Sequence, residues 1–283
     1  MNPIGANTWI WVSPLSDERL VHLAPRVRGM GFDVIELQVE NPGDWDPGRA
    51  AEVLAEHRLG ASLCAVMPPG RDLLGAEGEV AATQDYLRHC VDVAERIGSK
   101  TVGGPIYSAV GRTWLLDPDE RRRTIRRLVE ALRPVADYAG AHGVRLALEP
   151  LNRYETSLIN TAEQGLEVVQ ALDSPALGLL LDTYHMNIEE KSPAAAVRLA
   201  GSRLVHVHAC GSDRGTPGAD HLDWPAIVAA LRDASYDGPV CIESFTSENK
   251  TIAVAASIWR PLAPTQDALA RDGLAFLRTQ LAA

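Results

Sequence analysis

Long apolar runs are missing from this chain of 283 residues: no stretch approaches ~18 uninterrupted apolar residues, which excludes a membrane-spanning helix as the reading of any segment. The opening segment, MNPIGANTWIW, has no basic flank followed by an apolar core, so no export signal is read there and a cytoplasmic location is expected. Cysteine is scarce. Cys64, Cys90, Cys210 and Cys241 stand far apart with no CxxC pair, in a chain large enough to need no disulfide staples, and are expected to be reduced. Positive charge is in deficit, with 27 Lys and Arg against 37 Asp and Glu. The resulting net charge of −10 repels nucleic-acid phosphate and anionic membrane surfaces, so neither is expected as a partner. Neither GxGxxG nor GxxxxGK[ST] follows the first strand-like run, which removes support for dinucleotide and P-loop readings.

What is present is the composition of an ordinary globular protein, 46% hydrophobic and 23% charged, which excludes disorder, collagen-like repeats and coiled coil. Short apolar runs alternate with segments of helical periodicity, each pair taking roughly 30 to 40 residues. The predicted strands are Ile4–Trp9, Asp33–Gln38, Ala61–Val66, Thr101–Gly104, Arg145–Glu149, Leu177–Leu181, Leu204–His208 and Pro239–Glu243. The predicted helices are Asp17–Met30, Pro47–Arg58, Val80–Ile97, Pro118–Ala141, Ala162–Leu172, Pro193–Leu199, Trp224–Ser235 and Thr265–Leu281. Helix starts at Asp117-Pro118 and Thr161 and stops at Gly31, Gly60, Gly98 and Gly143 punctuate the pattern. With no composition break to mark a linker, the rhythm predicts one α/β domain, residues 1–283, folded as a closed (β/α)8 TIM barrel.

In such a barrel, polar residues at the carboxyl ends of strands converge on one mouth while the strand bodies pack as apolar layers. Four successive predicted strands end in a candidate metal ligand: Glu149 in RLALE, Asp182 after LGLLL, His208 in LVHVH and Glu243 in VCIE. They are spaced by 33, 26 and 35 residues, about one strand–helix unit each. Any one of them alone reads as a helix N-cap or an ion-pair partner. Together they would gather three carboxylates at one mouth, at a cost of several kcal/mol in repulsion and desolvation unless a cation is present. The oxygen-rich set suits Mn²⁺, Mg²⁺ or Co²⁺ better than a thiolate-seeking ion, with zinc not ruled out. Beyond each ligand lies a second polar signal, of which Glu155, His185 and Arg214 are candidates to hydrogen-bond a polyhydroxylated substrate. The bland alternatives are a Glu155–Arg214 loop ion pair and a capping or supporting role for His185.

The strings LEPLNRYETSLINTAEQG, LLLDTYHMNIEE, VHVH through DRGTPG to HLDW, YDGPVCIESF and IWRPL resemble the ketose 3-epimerases of the xylose isomerase-like barrel superfamily. That group includes the D-tagatose, D-psicose (D-allulose) and L-ribulose 3-epimerases. The match is dense from about residue 145 to 280 and collinear before that through GFDVIEL and GGPIYSA. The resemblance implies that Glu149, Asp182, His208 and Glu243 hold one divalent metal, usually manganese, and that Glu149 and Glu243 are the catalytic carboxylates. It also implies that Glu155, His185 and Arg214 contact ketose oxygens near C1 to C3, with Trp11, Cys64 and Tyr107 shaping the rest of the pocket, in a homodimer or homotetramer. One departure stands out. Many relatives have Glu three residues after the metal-binding His, where this chain has Gly211.

The chemistry agrees with that resemblance. In a 2-ketose the C3 proton is acidified by the C2 carbonyl, and a carboxylate on each face of C3 suffices to remove the proton from one side and return one to the other through an enediolate. Aldose–ketose or hydroxypyruvate isomerisation on the same barrel is the alternative. Less favoured are a multi-metal nuclease of the endonuclease IV type, against which the charge of −10 argues, and a sugar-binding accessory subunit without activity. His22, His57, His89, His142 and His206 read as surface or packing residues, with His206 sharing the face of His208 by period two. His221 and Asp223 read as loop and helix start, Arg121–Arg123 with Arg126 and Arg127 as a solvated helix face, and TIAVAASIW as a lid or subunit contact. No phosphate-binding loop is visible, and the preferred sugar is not legible.

Overall fold

The computed structural model describes residues 1–283. The eight strands are β1 (Ile4–Asn7), β2 (Val34–Val39), β3 (Gly60–Ala65), β4 (Thr101–Gly104), β5 (Arg145–Leu148), β6 (Leu177–Asp182), β7 (Leu204–Ala209) and β8 (Val240–Ile242). They close in sequence order, each parallel to the next, with β8 returning to β1. This is the (β/α)8 barrel of the xylose isomerase-like type that the alternation predicts.

The connecting helices are α1 (Asp17–Met30), α2 (Pro47–His57), α3 (Glu77–Ile97), α4 (Pro118–Ala141), α5 (Ala162–Leu172), α6 (Thr183–Glu189), α7 (Pro193–Ala200), α8 (Trp224–Asp233), α9 (Lys250–Ala255) and α10 (Gln266–Ala282). Their ends follow from sequence chemistry. Asp117 and Thr161 each form a capping box, with Glu120 and Gln164 respectively, satisfying first-turn donors, and Gly31 and Gly98 close α1 and α3 in the left-handed conformation. The faces these helices turn inward are apolar, as with Leu128, Leu132 and Val135 of α4, and they pack with the outward strand residues into one continuous core.

Two helices depart from the predicted pattern. α6 starts on the residue after β6 ends, because the Asp182 side chain both terminates the strand and accepts the Tyr184 amide as the helix N-cap, so no turn signal separates the two. α9, inside the TIAVAASIW segment, forms a side of the barrel mouth. β1 is shorter than predicted because Asn7 caps a single 3-10 turn over Thr8–Ile10.

One glycine positions the mouth directly. Gly104, at the end of β4, has φ +122°, and a Cβ there would lie 2.7 Å from the carbonyl oxygen of Ala65. That close approach lets the Gly104 carbonyl accept the amide of Glu149 at 3.0 Å, tying the end of β4 to the residue after β5. Gly104→Ala is expected to destabilise the fold by about 2–4 kcal/mol, from overpacking plus left-handed strain, measured by chemical denaturation. A variant as stable as the parent chain would show that the strand ends yield freely.

Candidate active site

Glu149 follows β5, Asp182 ends β6, His208 lies in β7 and Glu243 follows β8, so four neighbouring strands deliver the four side chains to the carboxyl end of the barrel. One ligand atom from each lies within 4.8 Å of all the others. His208 Nδ1 is 3.4 Å from Glu243 Oε2 and 3.8 Å from Glu149 Oε1. Glu149 Oε1, Asp182 Oδ2 and His208 Nδ1 are buried without any hydrogen-bond partner. Buried polar atoms are normally paired. Three orphans pointing at one centre, in a set of three carboxylates and one imidazole, fit a hard divalent cation.

The charges oppose one another in a way that separates the two glutamates. Burial and the neighbouring Glu243 push the Glu149 carboxyl up to about 7, against the pull of His208. Burial also raises Glu243, but His208 and Arg214 outweigh it and hold that carboxyl below its ordinary value. Asp182 is driven well above the usual carboxylate range by burial and by Glu243. Two carboxyls with opposite tendencies on either side of one imidazole resemble an acid and base pair in waiting.

Glu155, His185 and Arg214 meet beside this cluster. His185 lies between two donors, the Asn152 backbone N–H 3.0 Å from Nδ1 and the Arg214 guanidinium 2.9 Å from Nε2, with Nε2 also 3.8 Å from Glu149 Oε1. Burial and the Arg214 charge keep this imidazole neutral. The Arg214 guanidinium lies 4.5 Å from the Tyr184 ring and 4.9 Å from the Phe245 ring, and Glu155 Oε1 accepts from Nη2 at 3.4 Å, so its direction is set by three neighbours. The Glu155–Arg214 ion pair expected as a bland alternative is present, and it holds Arg214 toward the cluster rather than away from it.

Gly211 also finds its reason here. A Cβ at this position would stand 3.0 Å from the carbonyl oxygens of both Gly215 and Thr216, and the Gly211 amide donates to the Gly215 carbonyl at 3.0 Å. The loop folds back on itself closely here, so a side chain at this position would press on two backbone carbonyls.

A cavity of about 690 Å³ opens over the cluster. Its polar end is formed by Glu149, Glu155, His185, Arg214 and Glu243, while Trp9, Met67, Phe245 and Ile252 of α9 supply apolar wall. Cys64 lines it as expected. Trp11 and Tyr107 do not: Trp11 donates its indole N–H to Asp267, and Tyr107 is buried with its hydroxyl on the Ile159 carbonyl. Trp9, packed edge-on against Phe245, is the tryptophan of the wall.

Sequence reasoning missed the floor of this site. Glu36, in the body of β2, is fully buried and accepts from Asn7 Nδ2 at 2.9 Å, with His206 Nε2 at 2.6 Å and His208 Nε2 at 2.9 Å. Burial raises its carboxyl, but His208 and His206 more than offset that and hold it well below the ordinary value.

The profile of the family described as "Xylose isomerase-like TIM barrel" matches residues 25–280. A probable ketose 3-epimerase from Synechocystis sp. is 36% identical over 276 residues, covering 97% of this chain and 95% of the relative. The chain belongs to the ketose 3-epimerases. Among solved structures, an L-ribulose 3-epimerase superposes with a TM-score of 0.92 at 33% identity over 100% of this chain and 95% of that one. The D-allulose 3-epimerase from Methylomonas sp., solved in complex with D-allulose, gives 0.91 at 32% identity over 99% and 97% of the two chains. This epimerase is accordingly an enzyme of the isomerase class acting on carbohydrate, and no helix in it is long and apolar enough to cross a membrane.

The raised carboxyls give the epimerase a signed pH dependence. A carboxyl whose folded-state pKa is raised contributes stability that is fully present below its unfolded value and is lost as pH rises, here through about 7 for Glu149. A cation in the cluster reverses that loss. The rise in Tm on adding Mn²⁺ to EDTA-treated protein is expected to grow between about pH 5.5 and pH 7.5. A rise that is flat or shrinks over that interval would separate the cation from these carboxyls.

Proposed function

We propose that this protein inverts C3 of a free 2-ketose of the D-fructose/D-psicose, D-tagatose or L-ribulose type, with Glu149 and Glu243 exchanging the proton. The observation that carries this reading is the pair of buried glutamates just after β5 and β8, separated around the barrel by β6 and β7, whose carboxylates stand 3.8 Å and 3.4 Å from His208 Nδ1. In this reading Glu149, Asp182, His208 and Glu243 hold one divalent cation, Mn²⁺ by preference and Mg²⁺ or Co²⁺ as substitutes, with Zn²⁺ compatible. When bound, that cation supplies Lewis acidity toward the ketose oxygens at C2 and C3.

The chain's own groups do the rest. Ionised Glu243 takes the C3 proton, and the C–H electron pair passes into the C2–C3 bond as the carbonyl becomes an enediolate. Glu149, on the other side, returns a proton to the opposite face of C3. The reverse reaction exchanges the two roles. Arg214 donates to the substrate oxygens where charge builds, with Glu155 and His185 keeping it in place.

Free sugars fit this cavity better than phosphorylated ones. Apart from the residues that hold the cation its wall carries Glu40 and Glu155, and its one Lys or Arg side chain, Arg214, is already paired with Glu155, so no basic group is left to receive a terminal phosphate. Exposed Leu115, Tyr154, Val254 and Trp259, on segments that follow strands β4, β5 and β8, support a homodimer or homotetramer. The acidic balance of the chain and the four free, buried cysteines are in keeping with the cytoplasm.

The test follows Mn²⁺-loaded protein with D-fructose, D-tagatose, D-psicose and L-ribulose in D₂O by NMR. Deuterium at C3 with inversion, abolished by EDTA, is expected; exchange confined to C1 and C2 would make the protein an aldose–ketose isomerase instead. Glu243→Gln is expected to slow C3 inversion by at least about 10²-fold. Near-normal turnover in that variant would remove Glu243 from the mechanism.

A further inference from the structure

We propose that Glu36 is a positioning residue for the metal-binding imidazole: it accepts the Nε2–H of His208 and so turns the unprotonated Nδ1 toward Glu149, Asp182 and Glu243. This rests on the reading above, in which those four residues hold a divalent cation.

A carboxylate in the body of a barrel strand is costly to bury, and it is retained only where its oxygens are fully used. Glu36 has no lysine or arginine partner. Around it stand Asn7 Nδ2, which donates to Oε2 at 2.9 Å, His208 Nε2, in ion-pair contact 2.9 Å from the same oxygen, and His206 Nε2, 2.6 Å from Oε1. Strand register brings them together. Asn7, Glu36 and Ser62 stand side by side on β1, β2 and β3, while His206 and His208 reach them across the barrel from β7.

An ionised carboxylate only accepts, so each imidazole must offer it an N–H. For His208 this places the proton on Nε2 and leaves the lone pair of Nδ1 free. Nδ1 is the atom that lacks a partner and stands 3.4 Å from Glu243 Oε2. The opposite tautomer would aim an N–H into the cluster and close it to a cation. Cys64 Sγ is the other group near Nε2, at 3.7 Å, and a thiol is too weak an acceptor to hold the ring in its place. His206, nearly perpendicular to His208 at 83° and 5.0 Å between ring centres, occupies Oε1 and so fixes the plane of the carboxylate. Carboxylate–imidazole–metal chains of this kind set ligand direction and basicity, and their loss typically weakens metal affinity by about 10- to 100-fold.

The experiment compares the full-length protein with Glu36→Gln, which keeps the size of the side chain but cannot present two acceptor oxygens. Each is stripped with EDTA and titrated with Mn²⁺, reading free Mn²⁺ by electron paramagnetic resonance, alongside the Tm of the stripped forms. The expected result is a Kd for Mn²⁺ raised about 10- to 100-fold in a variant that still unfolds cooperatively. A Kd equal to that of the parent overturns the role of Glu36 while leaving the metal site intact. No Mn²⁺ binding by the parent overturns the metal reading itself, and this proposal with it. Should the variant fail to fold, long-range ¹H–¹⁵N spectra of the EDTA-stripped parent decide the matter. A His208 proton on Nε2 upholds the proposal, and a proton on Nδ1 overturns it.

Discussion

Everything at the mouth of this barrel depends on one electrostatic problem, the convergence of Glu149, Asp182 and Glu243 on the ring of His208 in a place that water scarcely reaches. Three carboxylates in such a site repel one another and lose hydration, each effect amounting to several kcal/mol. The chain answers with positive and polar groups on every side. Arg214 is held against two aromatic rings, His185 lies between the Asn152 backbone amide and Arg214, and His208 is caught between the cluster above and Glu36 below. What these groups leave unsatisfied is directional: three orphaned atoms facing one point. A site built to be neutral without a cation would have no reason to leave them.

The same geometry explains why the two glutamates differ although their residue type is the same. Glu243 shares the field of both His208 and Arg214, whereas for Glu149 burial and the charge of Glu243 prevail. Opposite protonation tendencies come from position around the barrel, since β5 and β8 approach the mouth from different sides. A 3-epimerase needs such a pair on two faces of one carbon. In the proposed reaction Glu149 and Glu243 would serve as that pair, each anchored by the strand immediately before it and by an amide bonded to a neighbouring strand end, Gly104 for Glu149 and Ala209 for Glu243.

Much of this was legible in the sequence, and the parts that were not share a cause. Strand ends announce themselves: in RLALE, LVHVH and VCIE a polar residue closes an apolar run, and the even spacing of four such runs predicts both the barrel and the ligand set. Glu36 follows the opposite logic. It sits in the middle of DVIELQV, where a single carboxyl reads as an ordinary outward-facing residue, and its meaning appears only when β1, β2 and β3 are aligned so that Asn7, Glu36 and Ser62 fall in one row. The available signal was a row of polar residues in strand bodies that a closed barrel would otherwise fill with aliphatic ones. His206 was hidden likewise, legible as a neighbour of His208 on the same face but not as a partner of Glu36. α6 escaped because Asp182 serves strand, cluster and helix cap at once, and Trp11, which the resemblance alone suggested, gives way to Trp9 in the wall because the 3-10 turn after Asn7 leaves Trp11 on Asp267.

The most direct test of the account is where a cation sits and through which atoms. Crystals of the protein grown with Mn²⁺ and measured at the manganese absorption edge should show one anomalous peak bounded by Glu149, Asp182, His208 Nδ1 and Glu243, with Glu36 still bonded to His208 Nε2. A peak held instead by Glu36, His206 and Cys241, or no peak in the barrel mouth at all, would contradict it.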